Sequence, residues 1–356
     1  MDKSRPVITM ESRSIQAVGY IPPFNDRPHH HSRPWAEAPH FPYGIGDGSI
    51  QSTAADMASY IRMLLNRGRG PHGRIVSKDA FKRFSTPHIA SRRYGYGINV
   101  SEQDGHTILA HGGGMVGFSA NILADMKDGL GVVTLANGPA AHRSIMDYTM
   151  KVIRSVLHDQ PLPELPHRKQ RKASRSLSDY IGDYKTSSGK TVHFSVEDST
   201  LILNDDTTRV RLERFYDDRF YSPVVGFDRY PFQFVRNDEG IIVEVIYGPT
   251  WYTNDLYAGP KTFEAPRAWQ SFVGRYRSYS PWFPYFEVIE RKGKLIAITG
   301  EGGETSCREF ELTEKSGGVF QVGKGPTPEV LSFEDIVAGR ALRAFWSGHQ
   351  FFRTER

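Results

Sequence analysis

Hydrophobic residues follow a helical period just after Ser52. Apolar side chains recur there at the i, i+3, i+4, i+7 and i+8 spacing of an amphipathic helix, at Met57, Tyr60, Ile61, Leu64 and Leu65. Thr53 and Asp56 fit a capping box at the start of this helix, and Gly68 marks its end. The pattern predicts a helix that buries one face.

Two further helices are predicted in the first half of the chain. One covers about residues 77–84. The other opens at Pro139, because proline is tolerated in the first turn. Its buried stripe is predicted at Ile145, Thr149, Val152, Ile153 and Val156.

Between these helices the pattern is typical of strands. Residues 118–124 and 130–136 are two β-type runs around a five-residue turn, and together they predict a hairpin. Strands at 94–100 and 107–110 lead into His111, which precedes three glycines. We expect these elements to form an α/β layer that ends near residue 158.

Beyond residue 176 the period shifts from 3.6 to 2. Short strands are predicted at 191–196, 200–203, 219–222, 232–235 and 241–246. Tyr180-Ile-Gly-Asp-Tyr184 opens this region, and Phe272-Val-Gly-Arg-Tyr276 repeats the pattern 92 residues later. The repeat predicts two small antiparallel β-barrels. The expected fold class is α+β, with domains at 1–158, 177–265 and 266–356 and a linker at 159–176.

Composition and charge exclude several classes of function. A content of 38% hydrophobic residues suits folded cores. Basic residues are densest at 167–175 in the predicted linker, not on a folded face, so no nucleic acid is expected as a partner. No apolar run approaches the roughly 18 residues of a membrane span. The single cysteine, Cys307, excludes a disulfide within the chain and a cysteine-rich metal site.

A histidine cluster near the N-terminus is the obvious candidate for a metal site. His29, His30 and His31 are adjacent, and His40 is close in sequence. Side chains of consecutive residues diverge in helical and in extended backbone, so we expect a solvated loop instead. Neither a metal nor an organic cofactor is predicted.

Two other patterns match motifs only in their letters. Ser187-Ser-Gly-Lys190 fits Ser-x-x-Lys, but this chemistry needs a helix that places lysine one turn from serine, and these residues form a Ser/Gly turn. Residues 112–117 are rich in glycine, but no helix follows directly, so a dinucleotide site is not expected.

His111-Gly-Gly-Gly114 can be read in two ways. By itself it indicates a buried histidine beside a glycine-softened bulge. Its context favours a functional site, because five segments occur in a set order: Gly46-Asp-Gly-Ser-Ile-Gln-Ser-Thr, the helix after it, Tyr94-Gly-Tyr-Gly, His111-Gly-Gly-Gly and Gly131-Val-Val-Thr-Leu-Ala-Asn. Together they resemble the C-terminal half of the catalytic domain of serine β-lactamase-like hydrolases, over about residues 15–157. This superfamily includes class C β-lactamases, penicillin-binding D,D-peptidases, D-aminopeptidases and esterases.

The resemblance implies an acyl-serine mechanism and assigns roles to four residues. His111, Gly112 and Gly113 align with the third motif, which is Lys-Thr-Gly in many members and His-x-Gly in some peptidases and esterases. Histidine is partly charged near neutrality, so it can polarise a proton relay or attract a carboxylate. By the resemblance, the Gly114 N–H completes the oxyanion hole. Gly112 replaces a hydroxyl residue of β-lactamases, which favours an amide, peptide or ester substrate.

The nucleophilic serine of Ser-x-x-Lys and the Tyr-x-Asn motif belong upstream of the matched region, and we find neither before residue 50. The chain is therefore expected to be a fragment or a shortened gene product without turnover. The sequence does not determine its cellular compartment. Its tandem barrels resemble those of D-aminopeptidase-type members. The expected partner is a homo-oligomer or a missing N-terminal half. The alternative is a non-catalytic binding protein that uses the barrels or the exposed hydrolase remnant.

Overall fold

The computed structural model describes residues 1–88, 93–166, 175–205, 207–300, 307–324 and 329–355. The chain forms two compact units. Unit 1 contains residues 1–21 and 35–170, and unit 2 contains residues 22–34 and 171–356. Within the predicted linker, residues 167–174 lie outside the described ranges. None of the described helices has the length and apolarity required to cross a bilayer.

Unit 1 is built on one antiparallel sheet. Two short two-stranded antiparallel sheets precede it, β1 (Tyr20–Ile21) with β2 (Ala36–Glu37) and β3 (Arg69–Gly70) with β4 (Gly73–Arg74). The four-stranded sheet has the order β5-β6-β7-β8, with bounds Asn99–Gln103, His106–Met115, Phe118–Asp125 and Leu130–Ala136. A 3-10 helix covers Met10–Ser14, and the α-helices are α1 (Ala54–Leu65), α2 (Lys78–Phe84) and α3 (His142–Leu157).

The first two helices form where the sequence predicts them. Thr53 caps α1 by accepting a hydrogen bond from the Asp56 amide, at 3.2 Å. The other half of the predicted capping box is wrong, because the Asp56 carboxylate instead accepts hydrogen bonds from the Lys3 amide and the Ser4 hydroxyl. Ser77 caps α2.

The third helix differs from its prediction. It begins at His142, three residues after Pro139, and its buried positions are His142, Met146 and Met150. Two predicted stripe residues, Ile145 and Val156, are 48% and 65% exposed. The sheet-facing row therefore follows an i, i+4 ladder that starts at His142.

The two faces of the sheet bury different helices. On one face α1 and α2 contribute Ile61, Leu64 and Phe81 to a core with Leu109 and Ile122. On the other face Met146 and Met150 of α3 contact a set of sheet residues, Ile108, Leu123 and Val132. Alternate residues of β6 and β7 therefore face opposite helix layers.

Unit 2 contains two closed eight-stranded antiparallel barrels. The first has strands β9–β16, at Gly182–Lys185, Thr191–Glu197, Thr200–Asp205, Thr208–Tyr216, Arg219–Tyr221, Phe232–Arg236, Ile242–Tyr247 and Thr250–Thr253. The second has strands β17–β24, at Gly274–Arg277, Tyr285–Arg291, Lys294–Gly300, Cys307–Ser316, Val319–Val322, Val330–Val337, Arg340–Trp346 and His349–Thr354.

The predicted internal repeat is confirmed. A 3-10 helix precedes each barrel, at Leu177–Tyr180 and Arg267–Ser271. Tyr184 and Tyr276, which are 92 residues apart, are both fully buried in the first strand of their barrel. Each barrel interior is filled by an apolar cluster rich in Phe, Tyr or Trp side chains.

Candidate active site

The glycine-rich stretch after His111 is an open strand edge. It continues β6 without a bulge, since the pairing with β7 is regular from Ile108 to Met115. On its other side β6 pairs with β5 only as far as Ala110. Gly112, Gly113 and Gly114 are exposed, while His111 is half-buried.

Two backbone amides on this edge have no strand partner. Val100 of β5 donates its N–H to the Arg93 carbonyl at 2.8 Å, away from β6. Bonded and non-bonded positions alternate in antiparallel pairs, so Ala110 points its backbone groups toward β5, and Gly112 and Gly114 point the same way. Because β5 does not extend beside them, both amides are directed at open space in the described part of the chain.

His111 is held by a tyrosine that the sequence did not single out for chemistry. Its Nε2 atom lies 2.8 Å from the Tyr94 hydroxyl, with ring centroids 6.0 Å apart. Tyr94 reaches this place because it forms an isolated bridge with Asn99 at the start of β5. The hydrogen bond restrains the imidazole ring of His111 through its Nε2 atom.

Asn121 lies beneath the second position of the motif. It is the β7 partner of Gly112, and its Oδ1 atom lies 2.7 Å from the place that a Cβ at Gly112 would take. A Cβ at Gly113 would meet nothing within 4 Å. The side-chain amide of Asn121 thus occupies the space that a hydroxyl residue at position 112 would need.

Sequence comparison identifies the family of this segment. The model of the family described as Beta-lactamase matches residues 16–152, a range that contains the sheet, α1, α2, most of α3 and the open edge of β6. Residues 16–152 are a beta-lactamase-family segment. No curated protein matches the chain.

Solved structures show only distant similarity. The octameric penicillin-binding protein homologue from Pyrococcus abyssi is 22% identical over 71% of this chain and 57% of its own, with a TM-score of 0.37. A crystal structure of SurE is 19% identical over 57% of this chain and 48% of its own, with a TM-score of 0.24. The chain thus spans little more than half of the first structure. TM-scores this low add nothing to the family match.

The other letters of the family's motifs lie in the barrel unit. Ser187 lies in the turn between β9 and β10, and Lys190 pairs with Asp205 at 3.0 Å. Tyr252-Thr-Asn254 has the letters of Tyr-x-Asn, but Tyr252 is buried in β16, and Asn254 donates its side-chain N–H to the Ile242 carbonyl. Ser187 and Lys190 therefore do not lie one helical turn apart, and Tyr252 and Asn254 do not lie on a helix either.

A serine–histidine pair, Ser119 with His142, lies behind the edge. His142 Nε2 is 2.8 Å from the Ser119 hydroxyl, which donates to the Gly138 carbonyl at 2.6 Å, and His142 Nδ1 is 2.7 Å from the Thr134 hydroxyl. Because the serine proton is engaged by a carbonyl, His142 is not placed to remove it. This network joins α3 to the sheet.

A cleft of about 110 Å³ adjoins the turn between β6 and β7. Its lining includes Met115, Val116 and Phe118 from the turn, and Arg13, Glu37 and His40 from the N-terminal region. Gly117 has φ of +81° and lies against Ala38, so a side chain there would collide. The cleft offers both charges and apolar surface next to the open edge.

Proposed function

We propose that residues 16–152 provide one wall of an acyl-serine hydrolase pocket that acts on an amide, peptide or ester bond. In this proposal His111 is the catalytic third-motif residue, and Gly112, Gly113 and Gly114 bind the substrate and the oxyanion. The observation that carries it is the open edge of β6, where two amides have no strand partner among the described residues, next to an imidazole held by Tyr94.

The chemistry follows from that edge. An extended substrate adds to an unpaired strand through main-chain hydrogen bonds, and glycines let it approach closely. The Gly114 N–H then donates to the oxygen that becomes negative as the carbonyl is attacked. His111, oriented by Tyr94, polarises the relay that returns a proton to the leaving group.

We further propose that the chain by itself does not form an acyl-enzyme. The full sequence contains a single Ser-x-x-Lys, at Ser187, and it lies in a barrel turn with its lysine bound to Asp205. The attacking serine of the complete pocket is therefore supplied by another polypeptide segment.

Covalent labelling tests this proposal. The chain is incubated with a fluorophosphonate and, separately, with a penicillin, and its intact mass is measured, with Ser187→Ala as the matched control. We expect less than a few per cent of the chain to gain the probe mass. Stoichiometric labelling of any serine would show that the chain has its own nucleophile and would overturn the proposal.

The alternative of a ligand-binding protein finds no support in the barrel interiors. Fully buried aromatic rings such as Phe194, Phe220, Phe286 and Phe351 occupy the space where a lipocalin-type ligand would lie. A ligand of the barrels would therefore bind outside these interiors, and a non-catalytic binding protein that uses the barrel surfaces or the exposed hydrolase remnant stays the alternative.

A further inference from the structure

The histidine cluster is not the solvated loop that the sequence predicts. His29 and His30 are each only 3% exposed, and the His30 and His31 rings lie 4.1 Å apart, centroid to centroid. Residues 22–34 pack within unit 2, and their irregular backbone allows adjacent side chains to converge. The argument that consecutive histidines diverge holds for regular backbone only.

These two rings meet a carboxylate from the first barrel. His30 Nε2 lies 3.0 Å from Glu213 Oε1, and His31 Nδ1 lies 3.6 Å from Glu213 Oε2. All three ligand atoms lie within 4.8 Å of one another. Zinc binds such atoms at about 2.0–2.1 Å, which places ligands of a tetrahedral site about 3.3–3.4 Å apart. The two observed separations, 3.0 and 3.6 Å, run to different oxygens of the Glu213 carboxylate, so a small rotation of that carboxylate brings one oxygen to both nitrogens.

The buried nitrogen of His30 is directed at this cluster without a satisfactory hydrogen bond. The side chain is 4% exposed, and Nε2 has no partner of acceptable hydrogen-bond geometry in the described ranges, although Glu213 is near. Its other nitrogen, Nδ1, is held by Ser32, whose hydroxyl oxygen is 2.6 Å away and whose amide is 3.1 Å away. An ion between Nε2 and the carboxylate would satisfy both groups.

We propose that His30 Nε2, His31 Nδ1 and Glu213 bind one divalent transition-metal ion of the zinc type. Two imidazoles and one carboxylate suit zinc, nickel or copper, whereas magnesium and calcium prefer oxygen ligands. Three protein ligands leave a coordination position for water. Binding at Nε2 requires the ring proton of His30 at Nδ1, where the Ser32 hydroxyl oxygen accepts it, and the observed hydrogen bond from the Ser32 amide to Nδ1 is then lost.

A second cluster has a similar composition but a different charge balance. His106, Asp125 and Asp128 also place ligand atoms within 4.8 Å. There the Arg154 guanidinium already bonds to both carboxylates. A cation on those ligands would have to displace that charge, so this cluster serves as an internal control.

The test is zinc titration of the tag-free chain by calorimetry, followed by cobalt substitution and visible spectroscopy. We expect one zinc ion per chain and the intense visible bands of tetrahedral cobalt. Glu213→Gln and His31→Gln should each weaken zinc binding at least about tenfold. Both residues are largely exposed, with 48% and 71% side-chain exposure, so neither change threatens the fold.

Two variants are controls. His193→Gln removes a histidine from a surface histidine–aspartate pair of the same barrel, with Asp183, and His106→Gln alters the second cluster. Neither should change zinc affinity or stoichiometry. The proposal is overturned if the wild-type chain binds no zinc, if Glu213→Gln binds it as tightly as wild type, or if His106→Gln abolishes binding.

Discussion

The side chain of Asn121 fills the space beside Gly112 that a side chain at position 112 would take. Since a Cβ at Gly112 would lie 2.7 Å from Asn121 Oδ1, Gly112→Ala must push that amide aside. At Gly113 a Cβ meets open space, and alanine is favoured over glycine in a strand by about 0.5–1 kcal/mol. We expect Gly113→Ala to leave the free energy of unfolding unchanged or slightly raised, and Gly112→Ala to lower it by about 1 kcal/mol, both measured by urea denaturation.

The double variant Gly112→Ala/Asn121→Ala separates this collision from a backbone effect. Removal of the amide should recover most of the stability that Gly112→Ala loses. If instead Gly112→Ala and Gly113→Ala destabilise the chain equally, both positions need glycine for backbone reasons. The Asn121 side chain then has no specific effect at position 112.

The contact between β7 and α3 depends on one buried carboxylate, that of Asp125. Asp125 is fully buried and bonds to His106 at 2.8 Å and to the Arg154 guanidinium. Burial raises the pKa of the Asp125 carboxyl, but hydrogen bonds from two turn amides, His106 and Arg154 outweigh it, so the pKa lies below the usual range. The stabilisation is therefore present above about pH 4, the pKa of an unfolded aspartate, and is lost as pH falls through the lowered pKa.

Asp125→Asn should remove this acid-dependent stabilisation and cost about 2 kcal/mol at neutral pH, because it weakens the charge-assisted hydrogen bonds from His106 and Arg154, although Arg154 keeps its pair with Asp128. Hydrogen exchange of β6 and β7 peptides across a urea series, at pH 3 to 7, measures both effects. The matched control is Asp147→Asn, since Asp147 pairs with Arg143 on the exposed face of α3 and should contribute no more than about 0.5 kcal/mol. Equal losses in both variants would contradict this account.

Elements with a strong period could be predicted from the sequence, and those whose placement depends on other elements could not. α1 carries its apolar stripe and its Thr53 cap within a dozen residues, so local physics suffices. Strand β12 was not predicted, although Val210 and Leu212 alternate with charged residues in the period of a half-buried strand. At the candidate site, the sequence motif proposes His111, while Tyr94 and Asn121 become its neighbours through strand register that the sequence does not state.

At the scale of the whole molecule, unit 2 contains two separate stretches of the chain. The first stretch is held against the first barrel by ion pairs. Residues 22–34 lie against the first barrel through Arg27 and Arg33, which both bond to Asp228. The Asp228 side chain is only 4% exposed. The Tyr221 hydroxyl adds a hydrogen bond to the Pro28 carbonyl at 3.1 Å. This segment carries the two histidines of the proposed metal site, so its attachment to the first barrel determines whether they are preorganised beside Glu213.

Asp228→Asn is therefore expected to weaken zinc binding without touching a ligand. It leaves the largely buried Arg33 guanidinium without its carboxylate, at a cost of about 3 kcal/mol, while Arg27 keeps its pair with Asp26. Peptides from residues 22–34 should then exchange hydrogen faster, while barrel strands keep their protection. Zinc affinity should fall about tenfold, because each binding event must first order residues 22–34.

Cobalt bound at saturation should keep its wild-type spectrum in this variant, whereas Glu213→Gln should alter the spectrum. Asp183→Asn, at an exposed pair of the same barrel, is the control. If exchange in 22–34 rises and zinc affinity does not fall, the histidines bind independently of the segment's attachment, and preorganisation is excluded.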